Sequence, residues 1–307
     1  MKKFLITGSN GFLAQKLAAH LRGRKDIQVL MCSRGANRYP LYEGHRYASL
    51  DICDRTQTKA LASEYRPDVI INTAAISHPD LCEINKEECW KVNVEGVTNL
   101  IHACLLNQTH LIHLSSDFVF DGDAGPYAEE DLPHPVNIYG KSKHASEELL
   151  KMSPIPWTIL RNCLSYGILQ NMPRPNLVIR LVEELKRGKT VPVTYDQFRT
   201  PTLIEDLAEA CIDVAIRQVT GLYHIAGGEL VSVLDFARKI AEVFDLDPSW
   251  IRPITTAALK KPAQRPLRGG LKIEKAQEEL GYCPHFLDQG LKFVRKQYEE
   301  MNATYRK

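Results

Sequence analysis

The chain has 307 residues, 44% hydrophobic and 25% charged, enough apolar side chain for one large or two smaller cores. Its formal net charge of +2 argues against a nucleic-acid or anionic-membrane ligand, and no apolar run approaches a membrane span. The eight cysteines are scattered, with no Cys-x-x-Cys pair and no zinc-like spacing, a usage that suits a reducing cytosol and calls for no metal.

The opening KKFLIT reads as a short buried strand. MKKFLIT resembles a signal peptide for only a few residues before Gly8 and Asn10 interrupt the apolar run. FLAQKLAAHLR then carries apolar residues at helical spacing. Between strand and helix stand Gly8, Ser9, Asn10 and Gly11, with Ala14 one turn further, giving Gly-x-x-Gly-x-x-Ala. The glycines permit a tight turn and let a pyrophosphate approach backbone N–H groups at a helix N-terminus. The small Ala14 lets the helix lie close to the strand. This context predicts a dinucleotide site in which Gly8, Ser9, Asn10, Gly11, Phe12 and Leu13 touch the cofactor. The second strand, DIQVLMC, runs into Ser33 and Arg34, with no carboxylate to hold the ribose hydroxyls. Ser33 and Arg34, with Arg38 as a further cation, suit a 2′-phosphate, so the cofactor expected is NADP(H).

RYASLDICD predicts a third strand with Asp51 and Ile52 flanking the adenine. TQTKALASEYR reads as a helix, and PDVIINTAA as a buried strand that delivers Asn72–Ala75, including Thr73 and Ala74, to its end. KEECWKVNVEGVTNLIHACLLN predicts one long amphipathic helix, and THLIHLSS a strand ending at Ser115 and Ser116. In NIYGKSKHASEELL, Tyr139 and Lys143 stand at i and i+4, on one face of a helix. A phenol titrates near pH ~10 in water. An ammonium one turn away is expected to lower that value and poise Tyr139 as a general acid/base. TIL of PWTILR and the run in GLYHIAG supply two more strands.

Strands alternating with helices predict an α/β fold, a Rossmann-type doubly wound parallel sheet with ligands at the carboxyl ends of its strands. Gly8, Ser33, Asp51, Asn72–Ala75 and Ser116 all fall at such ends. Beyond residue 162 the rhythm loosens, with Pro173, Pro175, Pro192, Pro201 and the breaker-rich KKPAQRPLRGG. We expect a nucleotide-binding domain over 1–162 with a return segment 196–226, and a smaller mixed α/β substrate lobe from 163–195 and 227–307. The last helix, in GLKFVRKQYEEMNATYRK, is expected to be solvated with a frayed end.

The segments GSNGFLA, INTAAISHPDLCE, NVEGVTNL, HLSSDFVFDGD, PYAEEDLPHPVNIYGKSKHASEE, DQFRTPTLIEDLA, GLYHIAGG and QRPLRGGLKIEKAQEELGY together resemble the extended short-chain dehydrogenases/reductases. Within these they resemble the dTDP-4-dehydrorhamnose reductase family. The resemblance implies that Ser116 hydrogen-bonds a substrate carbonyl and Tyr139 donates the proton. Lys143 would bind the nicotinamide ribose while tuning Tyr139, and Asn93 would support a proton relay. The reaction implied is NADPH-dependent reduction at C4 of a keto-sugar nucleotide, of the dTDP-4-dehydro-L-rhamnose to dTDP-L-rhamnose type, in a cytoplasmic enzyme that could be a homodimer. Arg199 and Arg265 are the candidates for the substrate diphosphate. His78 and Asp80 would face the sugar, with Asp117 and Leu164 beside them.

The chain also departs from the family pattern. Leu164 stands where rhamnose-forming members usually carry tryptophan, Arg199 where they carry glycine, and Leu81 where lysine is frequent. FRTPT and RPITTAALKKPAQRPLR resemble instead the regulatory beta subunit of methionine adenosyltransferase, a partner-binding protein with this fold that holds NADP(H). A regulatory role therefore stands beside the enzymatic one, and a sugar-nucleotide epimerase or dehydratase is a third reading that Arg34 disfavours.

Overall fold

The computed structural model describes residues 1–38, 45–169, 172 and 175–304, so the expected break at Pro173 and the expected fray at 305–307 lie outside it. The chain begins with β1 (Lys2–Thr7), α1 (Phe12–His20), β2 (Ile27–Ser33), β3 (His45–Ser49), α2 (Arg55–Tyr65) and β4 (Val69–Asn72). Next come α3 (Pro79–Ile84), α4 (Lys86–Trp90), a π-helical turn (Lys91–Glu95) and α5 (Gly96–Leu105). The nucleotide-binding half continues through β5 (His110–Ser116), α6 (Ile138–Lys151) and β6 (Trp157–Asn162). The expected long helix over 86–107 thus forms, with one difference: its centre widens to i→i+5 bonding, Gly96 N–H reaching the Lys91 carbonyl.

Further along lie β7 (Ser165–Tyr166), α7 (Leu177–Lys186), β8 (Val191–Thr194), β9 (Phe198–Arg199), β10 (Thr202–Leu203) and α8 (Ile204–Arg217). They are followed by β11 (Gly221–His224), β12 (Val231–Ser232), α9 (Val233–Val243), β13 (Ile251–Ile254), α10 (Glu274–Leu280) and α11 (Leu287–Thr304). Seven strands form one sheet in the order β11-β6-β5-β4-β1-β2-β3, and each adjacent pair is parallel. The fold is the doubly wound α/β arrangement. The central strands are continuous apolar runs because helices cover both faces. On one face Phe4, Ile6 and Ile71 pack with Leu17 of α1, Leu207 of α8 and Ala276 of α10. On the other, Leu5, Ile70 and Leu111 pack with Val97 and Leu100 of α5 and Leu150 of α6.

The strand order reverses between β1 and β4, so their carboxyl ends diverge into a crevice where ligands of such sheets collect. The turn after β1 meets the turn after β4 there. Gly8 has φ +67°, and a Cβ on it would lie 2.7 Å from the Ala74 backbone nitrogen, so only glycine fits.

A separate apolar cluster joins Tyr166, Val178, Leu181, Val193, Phe236, Ile240 and Leu291. Leu271, Ile273, Ala276 and Tyr282 pack instead with the first core, so the described part of the 227–307 stretch, up to residue 304, is shared between the two. The terminal helix departs from expectation. Leu287, Leu291 and Val294 of α11 are buried in the second cluster, with Tyr298 and Met301 packed against it. Burying each such aliphatic side chain contributes about 1.5–3 kcal/mol, so α11 is a core element and not a solvated tail. Among the described residues no helix is long and apolar enough to cross a membrane.

Candidate active site

One cavity of about 1230 Å³ runs along the carboxyl edge of the sheet and over onto α7. It exceeds the ~300–1,000 Å³ usual for one small ligand, leaving room for a dinucleotide and a second molecule.

At one end stands the glycine turn. Gly8, Asn10, Gly11, Phe12 and Leu13 all line the cavity. Gly11 is the N-cap of α1, which has no side-chain cap and no acidic residue in its first turn. A phosphate fits an N-terminus left in that state, because it satisfies outward N–H groups and meets the positive end of the helix dipole. Asn10 fixes the turn against β2 by donating to Ser33 Oγ at 2.7 Å and accepting from Arg38 N–H at 3.0 Å. Ser33, Arg34, Arg38, Asp51 and Ile52 continue the wall. Arg34 is largely exposed and only loosely engaged with Glu88, at 3.4 Å. Thr73, Ala74 and Ala75 close the opposite side. Ser9 is the exception in the turn: it is wholly buried and does not line the cavity.

At the other end Ser115, Ser116, Asp117, Tyr139 and Lys143 share one wall. Helix α6 is clamped onto the sheet by Glu147, which takes Arg161 of β6 at 2.6 Å and the Ser115 hydroxyl at 2.5 Å. Asn137 caps the helix through Gly140 N–H at 2.8 Å. The Tyr139 ring stands edge-on to Phe118, centroids 5.6 Å apart. Burial pushes its phenol up to about 12, with the Ser116 hydroxyl acting against that rise and Asp117 adding to it.

The expected lowering of the phenol by Lys143 is therefore not found. The Lys143 amine is itself pushed down to about 8 by burial, against the pull of Glu147. It sits 2.9 Å from Nε2 of His113, a residue that sequence reasoning passed over.

Three expected substrate contacts are placed elsewhere. Arg199 is almost fully buried and does not line the cavity. Its guanidinium donates to the carbonyls of Phe198, Pro266 and Leu267, and lies 3.5 Å from Asp117. A diphosphate cannot reach a fork already filled by carbonyls. Asp80 accepts from Arg265 at 2.9 Å and from Ala263 N–H at 3.2 Å, and neither His78 nor Asp80 lines the cavity. Arg265 does line it, held from behind by Asp80, as does Leu164, whose φ of +41° turns its backbone into the left-handed region. Asn93 is buried behind the wall. It ties the loop after β4 in place, accepting from Ile76 N–H at 2.8 Å and donating to the Ile76 carbonyl at 3.1 Å and to Ser142 Oγ at 3.0 Å.

The far wall was missed by sequence reasoning. It comes from Asn176, Leu177 and Arg180 at the start of α7. Asn176 caps that helix through Val178 and Ile179 N–H, and an Asn before an apolar helical run was the available signal. The cysteines are also corrected. Cys82 of α3 and Cys89 of α4 form a disulfide, their Cα atoms 5.0 Å apart, a pairing at odds with a cysteine usage that suits a reducing cytosol. The bend at Asn85 that joins the two short helices brings them together, which spacing alone does not reveal. Among the described residues no cluster of three or more His, Cys, Asp or Glu could hold a metal ion.

A doubly wound sheet with a glycine turn at its switch point and a Ser-Tyr-Lys wall beyond it defines an extended short-chain dehydrogenase/reductase. The chain belongs to the dTDP-4-dehydrorhamnose reductase family: the family model described as RmlD substrate binding domain matches residues 1–299. It is 31% identical over 307 aligned residues to a dTDP-4-dehydrorhamnose reductase of Aggregatibacter actinomycetemcomitans, covering 96% of this chain and 99% of the relative. It is 30% identical over 259 residues to methionine adenosyltransferase 2 subunit beta of Xenopus laevis, covering 83% of this chain and 75% of the relative. A solved dTDP-4-dehydrorhamnose reductase from Bacillus anthracis, in complex with NADP, superimposes with a TM-score of 0.84 at 26% identity, covering 97% of this chain and all of that one.

Proposed function

We propose that this protein is an NADPH-dependent reductase of a 4-keto-sugar nucleotide, of the dTDP-4-dehydro-L-rhamnose type. The observation that carries the reading is the shared wall of one cavity in which Ser116 and Tyr139 stand together, continuous with the uncapped glycine turn. NADPH, when bound, supplies a hydride to the carbonyl carbon. Gly8, Gly11 and the first turn of α1 would hold its pyrophosphate, Ser33 and Arg34 its 2′-phosphate, and Lys143 its nicotinamide ribose.

The chain's own part is proton supply and charge stabilisation. A carbonyl oxygen between Ser116 and Tyr139 gains negative charge as its carbon is reduced. Donors at that point lower the barrier: the Tyr139 phenol, and the Ser116 hydroxyl once it rotates away from Asp117, to which it donates at 3.0 Å in the absence of substrate. Tyr139 then gives its phenolic proton to the new alkoxide, leaving an alcohol and a phenolate that is reprotonated from solvent. A phenol held near 12 is fully protonated at neutral pH, the state a reduction requires. The second ligand would lie along α7, with Arg265 offering a guanidinium to its phosphates.

The test is NADPH oxidation against a panel of 4-keto-sugar nucleotides. Oxidation with one of them supports the reading. The similarity to methionine adenosyltransferase 2 subunit beta favours a second reading, an NADP(H)-binding regulatory subunit. No oxidation with any keto-sugar, together with a stable complex with a methionine adenosyltransferase catalytic subunit, would select it.

A further inference from the structure

Behind the reactive wall, and ending on its Lys143, lies a buried polar chain of Thr7, Asn72, His113 and Ser146, drawn from β1, β4, β5 and α6, that none of the reaction steps uses. Its hydrogen-bond directions are fixed from one end. The Ala74 backbone N–H can only donate, and it meets Asn72 Oδ1 at 3.2 Å, where the Thr7 hydroxyl also donates at 2.6 Å. The amide nitrogen of Asn72 therefore points the other way, 3.0 Å from Nδ1 of His113, and donates to it. An Nδ1 that accepts carries no proton, so in the neutral ring the proton is on Nε2. The ring is neutral: sealed from solvent, it titrates well below the usual histidine range. Nε2 faces Ser146 Oγ at 3.1 Å and the Lys143 amine at 2.9 Å. The Ser146 hydrogen is committed to the Lys143 backbone carbonyl at 2.7 Å, so its oxygen can only accept from Nε2–H, which therefore lies between Ser146 Oγ and the nearer Lys143 amine.

An ammonium has three donors and no lone pair, so it cannot accept from an N–H, whereas a neutral amine can. We propose that His113 is a positioning residue: locked by Asn72 as the Nε2–H tautomer, it turns a donor toward Lys143 and favours that lysine's neutral amine while the cofactor is absent. The surrounding charges do not reverse this. Glu147, on the same helix, attracts an ammonium but is already occupied by Arg161 of β6 and by Ser115. Asp117, after β5, is engaged by Arg199 of β9, and Tyr139 is an intact phenol. Burial alone already pushes the Lys143 amine down to about 8, and a donor turned toward it acts in the same direction.

The catalytic meaning of the proposal rests on the reductase reading, but its test does not. The measurement is side-chain 15N NMR of the cofactor-free protein, with Lys143 assigned by loss of its signal in Lys143→Met. In the unaltered protein we expect His113 to show an unprotonated Nδ1 and a protonated Nε2. In His113→Gln the side-chain oxygen can accept from an ammonium, and the Lys143 midpoint should rise by about one pH unit, a tenfold change in its proton affinity. A protonated Nδ1, or a midpoint that stays put in His113→Gln, overturns the proposal. If His113→Gln fails to fold, the tautomer of the unaltered protein decides alone. Loss of the reductase reading would show as absent turnover and would leave both NMR results standing.

Discussion

Asp117 and Arg199 face each other at 3.5 Å, both sealed from solvent, and Asp117 accepts the Ser116 hydroxyl at 3.0 Å. The arginine that the sequence offered as a substrate ligand is thus a support behind the serine. Burial pushes the Asp117 carboxyl up, while Arg199, Cys163 and Ser116 oppose that rise. Removing one member of a buried pair strands the other's charge and, here, three backbone carbonyls.

Arg199→Ala is therefore expected to lower stability by about 3–5 kcal/mol, read as a shift in the urea midpoint. A diphosphate ligand would behave differently: KM for the nucleotide sugar would rise while the urea midpoint held.

Gly8→Ala and Gly35→Ala separate backbone conformation from crowding. Both glycines have positive φ, +67° and +73°, but a Cβ on Gly35 meets nothing within 4 Å while one on Gly8 meets Ala74. Gly35→Ala should cost about 1–2 kcal/mol, the cost of a left-handed alanine. Gly8→Ala should cost more and weaken NADPH binding at least tenfold in a fluorescence titration. Equal effects would mean the β1–β4 crossing does not shape the site.

Arg34 lies at the cavity rim with a weak surface partner, so its removal should leave the fold intact. A charge-assisted contact to a 2′-phosphate contributes about 1.5–3 kcal/mol, so Arg34→Ala should raise the NADPH Kd roughly 10- to 100-fold and leave the NADH Kd unchanged. Unchanged NADPH binding would remove Arg34 from the cofactor site.

Acid sensitivity follows from histidines buried in the neutral form. His110 is pushed down to about 4 and His224 to about 3, chiefly by burial. His224 Nδ1 donates to the Lys272 carbonyl at 3.1 Å, and His110 Nε2 donates to Thr158 Oγ1 at 2.7 Å. In the unfolded chain both rings protonate near pH ~6.5, so unfolding takes up protons from about 6.5 down to about 4 for His110 and about 3 for His224. Stability is complete above that window and falls as pH drops through it. Urea midpoints that stay flat from pH 7 to 4.5 would contradict the assignment.

The dinucleotide end was legible because its requirements are local. A tight turn after Thr7 needs small residues at fixed offsets, and the sequence shows Gly8, Gly11 and Ala14 there. The same holds for Tyr139 and Lys143, one helical turn apart. What failed were pairings across long separations. Nothing near Arg199 in sequence announces the carbonyls of Pro266 and Leu267, and nothing near Lys143 announces His113, thirty residues back on a different element. The Tyr139 proton affinity failed for the same reason: spacing along a helix showed the ammonium but not the burial that outweighs it.

The most direct test of the account is Tyr139→Phe, which deletes one hydroxyl and keeps the ring edge-on to Phe118. With a 4-keto-sugar nucleotide that the unaltered protein reduces, kcat should fall by about 10²–10⁴-fold while the NADPH Kd is unchanged. Turnover by Tyr139→Phe at the unaltered rate would contradict proton donation by this phenol, and with it the proposed mechanism.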